Sequence, residues 1–325
     1  MAANSWDQSL RSVLPSPSLL QSWGYGEVQR GEGWRVERIE LPGAAATVLL
    51  RGPGRFAWAY VPRGPVPGDE ASLRALVVWA QRRRLAGLRV EPDAGPNMRG
   101  VLQELGFRSC PGLHPETTLV VPLQEEQEML AGFRPKHRYN IRLAARRGVE
   151  VTEADDVEEL VRQSLGTARR QRISVPAAAA YRRRLRHLEW CRIYVAHFQG
   201  EALAAIMVAR FGAHAYYLFG GSSGEHRDLM PSYALQWRAM RDAHQAGCAD
   251  YDLWGVPPGP DQTHQWAGLW QFKTGFGGSM VEYCGAFERV IDPSAARVAA
   301  LSAPAYRIVT HLKPWTRLLR FANKA

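Results

Sequence analysis

Apolar and polar positions along this chain fall into short runs broken by glycine and proline, a pattern that predicts strands alternating with helices. A short helix is expected around Gln21–Val28. Trp34–Leu41 and Ala44–Leu50 read as strands joined across Pro42-Gly43, and Phe56–Val61 as a third that ends in Pro62-Arg63-Gly64-Pro65. Ser72–Leu85 has Leu73, Leu76, Val77 and Ala80 on one helical face and is closed by Ala86-Gly87, before a strand at Leu88–Glu91. Met98–Leu105 is expected as a helix stopped by Gly106-Phe107, and Thr117–Pro122 as a strand. Helices at Val157–Ala168 and Ala177–Leu188 lead to a hairpin, Cys191–His197 and Ala202–Phe211, turning at Gln199-Gly200. Ala213–Phe219 is a continuous apolar run that suits a buried strand, with Gly220 to Gly224 expected to end it. Pro231-Ser232 then starts a helix bearing Leu235, Met240 and Ala243, which stops at Gly247. Tyr251–Trp254 returns as a short strand that carries Asp252.

The order of landmarks repeats. Tyr60, Ala86-Gly87, the strand at Arg89–Glu91 and Gly106-Phe107 reappear as Tyr217, Ala246-Gly247, the strand at Tyr251–Leu253 and Gly275-Phe276. The separations drift only from 157 to 169 residues. Four landmarks in one order imply that an α/β unit has been duplicated.

Between the halves, Met129–Val149 holds Arg134, Lys136, Arg138, Arg142, Arg146 and Arg147 and no acid. Arg138, Arg142 and Arg146 stand four residues apart and share one helical face, where like charges repel unless an anion screens them. Lys136, Arg138, Arg142 and Arg146 are therefore the expected contacts to RNA or a polyphosphate. The chain's formal charge of +10 agrees with a polyanionic partner. Its 325 residues allow two domains, and no apolar run is long enough to span a membrane. The N-terminus lacks the pattern of a secretory signal. The four cysteines are far apart and the histidines scattered, so neither a disulfide framework nor a metal site is expected, and reduced thiols suit a cytoplasmic protein. The tail, Val298 to Ala325, interleaves Trp315, Leu318, Leu319 and Phe321 with Lys313, Arg317 and Arg320, which would suit either packing on its own domain or a membrane interface.

Several blocks together resemble the Fem-type peptidyltransferases, the FemA, FemB and FemX group. They are Leu20–Trp34, Phe56–Val66 (FAWAYVPRGPV), Lys136–Val151 (KHRYNIRLAARRGVEV), Tyr217–Ser222, Ala249–Val256 and Leu269–Gly278 (LWQFKTGFGG). The resemblance implies two tandem acetyltransferase-like (GNAT) domains, each a mixed sheet flanked by helices, in the compact form without a coiled-coil arm. The first would comprise 1–115 with 288–325, the second 116–287. It also implies transfer of an amino acid from aminoacyl-tRNA, as co-substrate and with no cofactor, to an amine of a nucleotide- or lipid-linked muramyl peptide. A monomer is implied, in the cytoplasm with the option of peripheral contact at the inner membrane face.

By the same resemblance Lys273 is the substrate-site lysine, neutralising a phosphate or the tetrahedral intermediate. Glu91 occupies the place of an acidic residue that would orient the attacking amine or take its proton. Arg63 matches a diphosphate contact, and Tyr217, Phe219 and Ser222 match substrate contacts, with Asp252 and Phe272 beside them. This chain departs from the group at Glu27 and Gln29, where a phosphate-binding lysine is expected, and at Ala286, where an acid is expected; a changed acceptor would follow from that. The rival class on the same fold is an acyl-CoA-dependent N-acyltransferase. Its pyrophosphate needs free backbone amides at a glycine-rich turn into a helix, whereas EHRDLMPSYA lacks that glycine and inserts Pro231.

Overall fold

The computed structural model describes residues 3–171, 174–256, 259 and 267–301. The expected membrane-interface residues of the tail lie outside the described residues. The chain divides into two compact units, Met1–Glu116 with the segment from Glu282, and Thr117–Val281.

Unit 1 opens with α1 (Ala3–Val13) and α2 (Trp23–Gly31), then β1 (Arg35–Leu41), β2 (Ala44–Arg51) and β3 (Trp58–Pro62). It continues through α3 (Glu70–Arg82), β4 (Gly87–Glu91), α4 (Met98–Glu104) and β5 (Arg108–Cys110). Unit 2 begins with β6 (Thr117–Pro122), α5 (Glu126–Gly132), α6 (Pro135–Arg146), β7 (Glu150–Ala154), α7 (Glu158–Gln171) and α8 (Ala178–His187). β8 (Arg192–Phe198), β9 (Glu201–Phe211), β10 (His214–Ser222), α9 (Pro231–Gln245), β11 (Asp250–Gly255), α10 (Ala267–Thr274) and β12 (Ser279–Glu282) complete it. The chain then adds β13 (Ala286–Val290) and α11 (Pro293–Leu301) to unit 1.

Each unit is a mixed sheet flanked by helices. The sheets run β1-β2-β3-β4-β13-β5 and β12-β6-β11-β10-β9-β8-β7. Both contain one helix-bridged parallel pair, β3 with β4 across α3 and β10 with β11 across α9. The order β3-α3-β4-α4-β5 recurs as β10-α9-β11-α10-β12, which is the duplication the landmarks imply. The last strand of each half is exchanged. β6 follows β5 in the chain yet pairs with β11, while β13 follows β12 yet pairs with β4. This exchange makes unit 1 discontinuous. Residues 282–287 fall in unit 1, where Tyr283 N donates to Glu116 O (2.8 Å), Cys284 N donates to Ala94 O (2.8 Å), and Ala286 pairs with Cys110.

Alternation does the packing. Val48, Leu50, Ala59, Val61, Leu88 and Val90 bury one face of the unit 1 sheet against Leu73 and Leu76 of α3. In unit 2, Ile206, Val208, Ala215, Tyr251 and Leu253 close on Leu235, Ala239 and Met240 of α9. Burying each of the valines, leucines, isoleucine and methionine among them contributes roughly 1.5–3 kcal/mol.

Pro135 divides the basic stretch, since it forces Arg134 into extended backbone (ψ 147°), so α5 ends at Gly132 and α6 starts afresh. Two local expectations are corrected. α3 does not run to Leu85 and Ala86-Gly87 does not close it, because it stops at Arg82 and Gly87 opens β4. Nor do the glycines after Phe219 end the strand, because β10 runs on to Ser222. A Cβ on Gly221 would overlap the Gln163 backbone of α7, and one on Gly220 would overlap the Tyr217 hydroxyl. Those glycines admit a helix and a tyrosine to the strand rather than make a loop.

Candidate functional site

Both units build a buried polar cluster at the same topological place, the carboxyl end of the second strand of the parallel pair. In unit 2 that strand is β11, and its pairing with β6 becomes irregular between Asp252 and Gly255. Trp254 there adopts a left-handed backbone (φ 62°), uncommon for a bulky residue. Asp252 holds that turn, since its Oδ1 accepts from Trp254 N (2.6 Å) and from the Thr118 hydroxyl. The turn aims Gly255 O at the last turn of α10, where Lys273 Nζ donates to it at 2.8 Å. Nζ also stands 5.6 Å over the Tyr217 ring.

Lys273 is only 5% exposed. Burial pulls its pKa down from 10.5 to about 8, and the Asp252 carboxylate opposes that fall. Near neutrality the amine is therefore mostly cationic but within reach of deprotonation, so it can face a developing oxyanion or pass a proton. Burial likewise pushes the Tyr217 phenol up to about 12, leaving it protonated. Lys273, Asp252 and Tyr217 are thus brought together, and Thr118 and Trp254, which the sequence reading missed, hold them.

The other expected residues of unit 2 are engaged elsewhere. Phe272 turns its ring into an aromatic cluster with His137, Tyr233 and Phe276. Phe219 packs edge-on against Tyr181 of α8, with the Arg184 guanidinium 5.3 Å over its ring. The Ser222 hydroxyl accepts from Arg170 Nη2 (3.1 Å), and Ser222 N donates to Thr167 Oγ1 (3.0 Å), which seals the end of β10 onto α7. On α6, Lys136, Arg142 and Arg146 are exposed, and Lys136 and Arg142 make no ion pair among the described residues. Arg138 is half-buried instead. Its Nη1 donates to Phe133 O and lies near Leu130 O and Ala131 O, capping the carbonyls that α5 leaves bare. One guanidinium of the predicted row is therefore structural.

In unit 1 the equivalent strand, β4, ends at Glu91, which is 2% exposed. Its oxygens accept from Leu113 N (2.6 Å) and His114 N (3.0 Å), stapling the loop that follows β5. Burial raises the Glu91 pKa against those two bonds and the nearby Arg63 and Arg89. Arg63 is buried too, donating to Pro115 O (2.6 Å) with its guanidinium 3.4 Å over the Tyr283 ring. The Tyr60 hydroxyl, missed from sequence, is buried without a hydrogen-bond partner among the described residues. Its pKa rises well above the ordinary value through burial and the Glu91 charge. Among the described residues no cluster of His, Cys, Asp or Glu is placed to hold a metal, and no helix is long and apolar enough to cross a membrane. The longest described helix is α9, at 15 residues, so no coiled-coil arm occurs among the described residues.

A family model described as the FemAB family matches residues 167–303. The lipid II:glycine glycyltransferases of Staphylococcus saprophyticus and Staphylococcus aureus are each 22% identical to this chain, over 92% of its length and 92% of theirs. A solved structure of FemX matches with a TM-score of 0.80 at 20% identity, covering 92% of this chain and 98% of that one. The structure of L-PGS from Bacillus licheniformis matches with a TM-score of 0.55 at 13% identity, covering 95% of each chain. The chain is thus matched by the FemAB family model across residues 167–303, is similar to these glycyltransferases along nearly their whole length, and shares the FemX fold.

Proposed function

We propose that the chain is an aminoacyltransferase that moves an amino acid from aminoacyl-tRNA to an amine of a lipid-linked muramyl peptide, forming a peptidoglycan bridge. The observation that carries this reading is the buried Lys273 amine held by Gly255 O beside Asp252 and the Tyr217 ring. Its setting is a chain 22% identical to lipid II:glycine glycyltransferases over 92% of its length.

In the reaction, the acceptor amine attacks the ester carbonyl of the charged tRNA and a C–N bond forms. The ester C–O bond then breaks and the ribose oxygen leaves with a proton. The Lys273 ammonium stabilises the oxyanion between these events, a contribution worth about 10²–10³ in rate for a single donor. With a pKa of about 8 it can also give a proton to the leaving oxygen and regain one from the attacking amine. Asp252 keeps the amine cationic, and Tyr217 offers its ring face. Lys136, Arg142 and Arg146 meet RNA phosphates, while Arg138 holds the helix that carries them. Glu91 acts through the loop it staples, and Arg63 braces the same loop through Pro115 O. No cofactor is needed, since the ester is already activated. We place the protein as a monomer at the inner membrane face, where a lipid-linked acceptor is presented.

The acyl-CoA reading is disfavoured by one feature. Pro231 fills the first position of α9 and removes an amide that would face a pyrophosphate. Incubation with a mixture of charged tRNAs and either lipid-linked or nucleotide-linked muramyl pentapeptide, read by mass spectrometry, tests the proposal. The lipid-linked form should gain an aminoacyl mass. Acylation by acetyl-CoA with no gain from any charged tRNA would overturn it.

A further inference from the structure

The basic helix α6 and the lysine-bearing helix α10 are latched where one begins and the other ends. Arg134 N donates to Gly275 O (2.9 Å), His137 Nε2 lies 2.8 Å from Phe272 O, and the Arg134 guanidinium sits 5.7 Å over the Trp270 ring. Phe272 O lies in the last turn of α10, where carbonyls run out of intrahelical donors. The amides that follow go elsewhere, Phe276 N to Lys273 O (3.1 Å) and Gly277 N to Thr274 O (3.3 Å).

A ring nitrogen that faces a carbonyl must carry the proton, so Nε2 donates and Nδ1 is bare. Nδ1 is buried and has no hydrogen-bond partner among the described residues. Burial, with the Arg134 and Lys136 charges, pushes the His137 pKa down, so the imidazole stays neutral and keeps this one donor role. The neighbouring glycines make the latch fit. A Cβ on Gly275 would overlap the His137 ring, and one on Gly277 would stand 2.6 Å from Gly132 O. Tyr233 and Phe276 close edge-on around the imidazole, with centroids at 5.0 and 4.8 Å.

We propose that His137 is a positioning residue for Lys273, capping the last turn of α10 from α6 and so fixing where the buried amine stands. This rests on the reading of Lys273 as the group that meets the reacting atoms. The capped carbonyl belongs to the residue before Lys273, so freeing that turn draws Nζ off Gly255 O and admits water. Lys136 and Arg142 lie exposed on the same α6, which makes one rigid element serve both the RNA-facing cations and the amine.

Two variants test it. His137→Phe keeps an aromatic ring in the cluster but loses the donor; His137→Gln keeps an N–H near the place of Nε2. Lysine NMR titration of the full chain, with no substrate, should show the Lys273 pKa rising by about one unit in the Phe variant and holding in the Gln variant. Transfer assays should show kcat falling about 10–100-fold in the Phe variant, with KM for charged tRNA unchanged, and staying within about threefold in the Gln variant. An unmoved Lys273 pKa in the Phe variant, or equal losses in both variants, overturns the proposal. A shifted pKa in a protein that transfers nothing from any charged tRNA supports the latch and overturns the aminoacyl reading instead.

Discussion

Replacing Lys273 by methionine should stabilise the protein near neutral pH while abolishing most of its activity. A drop in pKa from 10.5 to about 8 means that the folded protein carries a penalty of roughly 3 kcal/mol for holding this amine charged. The folded pKa lies below the unfolded one. Below about pH 8 the amine is protonated in both states and the full penalty applies. As pH rises from about 8 toward 10.5 the folded state sheds its proton first, so native stability climbs and the penalty fades. Methionine has a similar shape and no charge, but it leaves Gly255 O without its donor, which costs about 1–3 kcal/mol. The net expectation is a Lys273→Met protein more stable than the parent by about 1–2 kcal/mol near pH 6.5, an advantage that shrinks by about 2 kcal/mol by pH 9.5. Urea unfolding of both proteins across that range measures it, following the transition that responds to the substitution, because a two-unit chain need not unfold in one step. Taking the difference cancels every other titrating group. A difference that stays flat within about 0.5 kcal/mol from neutral to alkaline pH would refute the burial argument, since the lysine would then titrate as an open one. The same variant should lose about 10²–10³ in kcat.

Other perturbations separate the remaining roles. Asp252→Asn removes the charge that holds the Lys273 pKa up, so the alkaline limb of the rate profile should move to lower pH; a limb that stays in place would deny the coupling. Arg142→Ala should lower the slope of log affinity for tRNA against log salt by about 0.7–0.9, whereas Arg138→Ala should leave the slope alone and lower the unfolding midpoint. Glu91→Ala strips the acceptor from two half-buried amides and should cost about 1–3 kcal/mol in unfolding free energy; an unchanged midpoint would show that the loop does not depend on it.

How much of this was legible in the sequence depended on how far apart the partners lie. The duplicated order of strands and helices is local, written in apolar runs and the glycines that follow α4, α9 and α10, and it could be read directly. Lys273 was singled out for its aromatic and glycine neighbours, but those neighbours serve a different purpose from the one expected. Phe272 packs against α6 and α9, and Gly275, Gly277 and Gly278 admit the His137 ring, Gly132 O and Val120 O. A single sequence records that a position demands glycine but not which neighbour imposes the demand. The same holds for Thr118 with Asp252 and His137 with Phe272, pairs separated by 134 and 135 residues that meet only once the exchanged strand and the basic helix are in place. Arg138 and Arg142 show the limit most sharply. Their spacing is that of one helical face, yet α5 stops at Gly132 and leaves carbonyls for the first guanidinium, while the second is exposed and makes no ion pair among the described residues. Periodicity placed both cations on α6. The break before the helix decided which of them is taken up by backbone carbonyls.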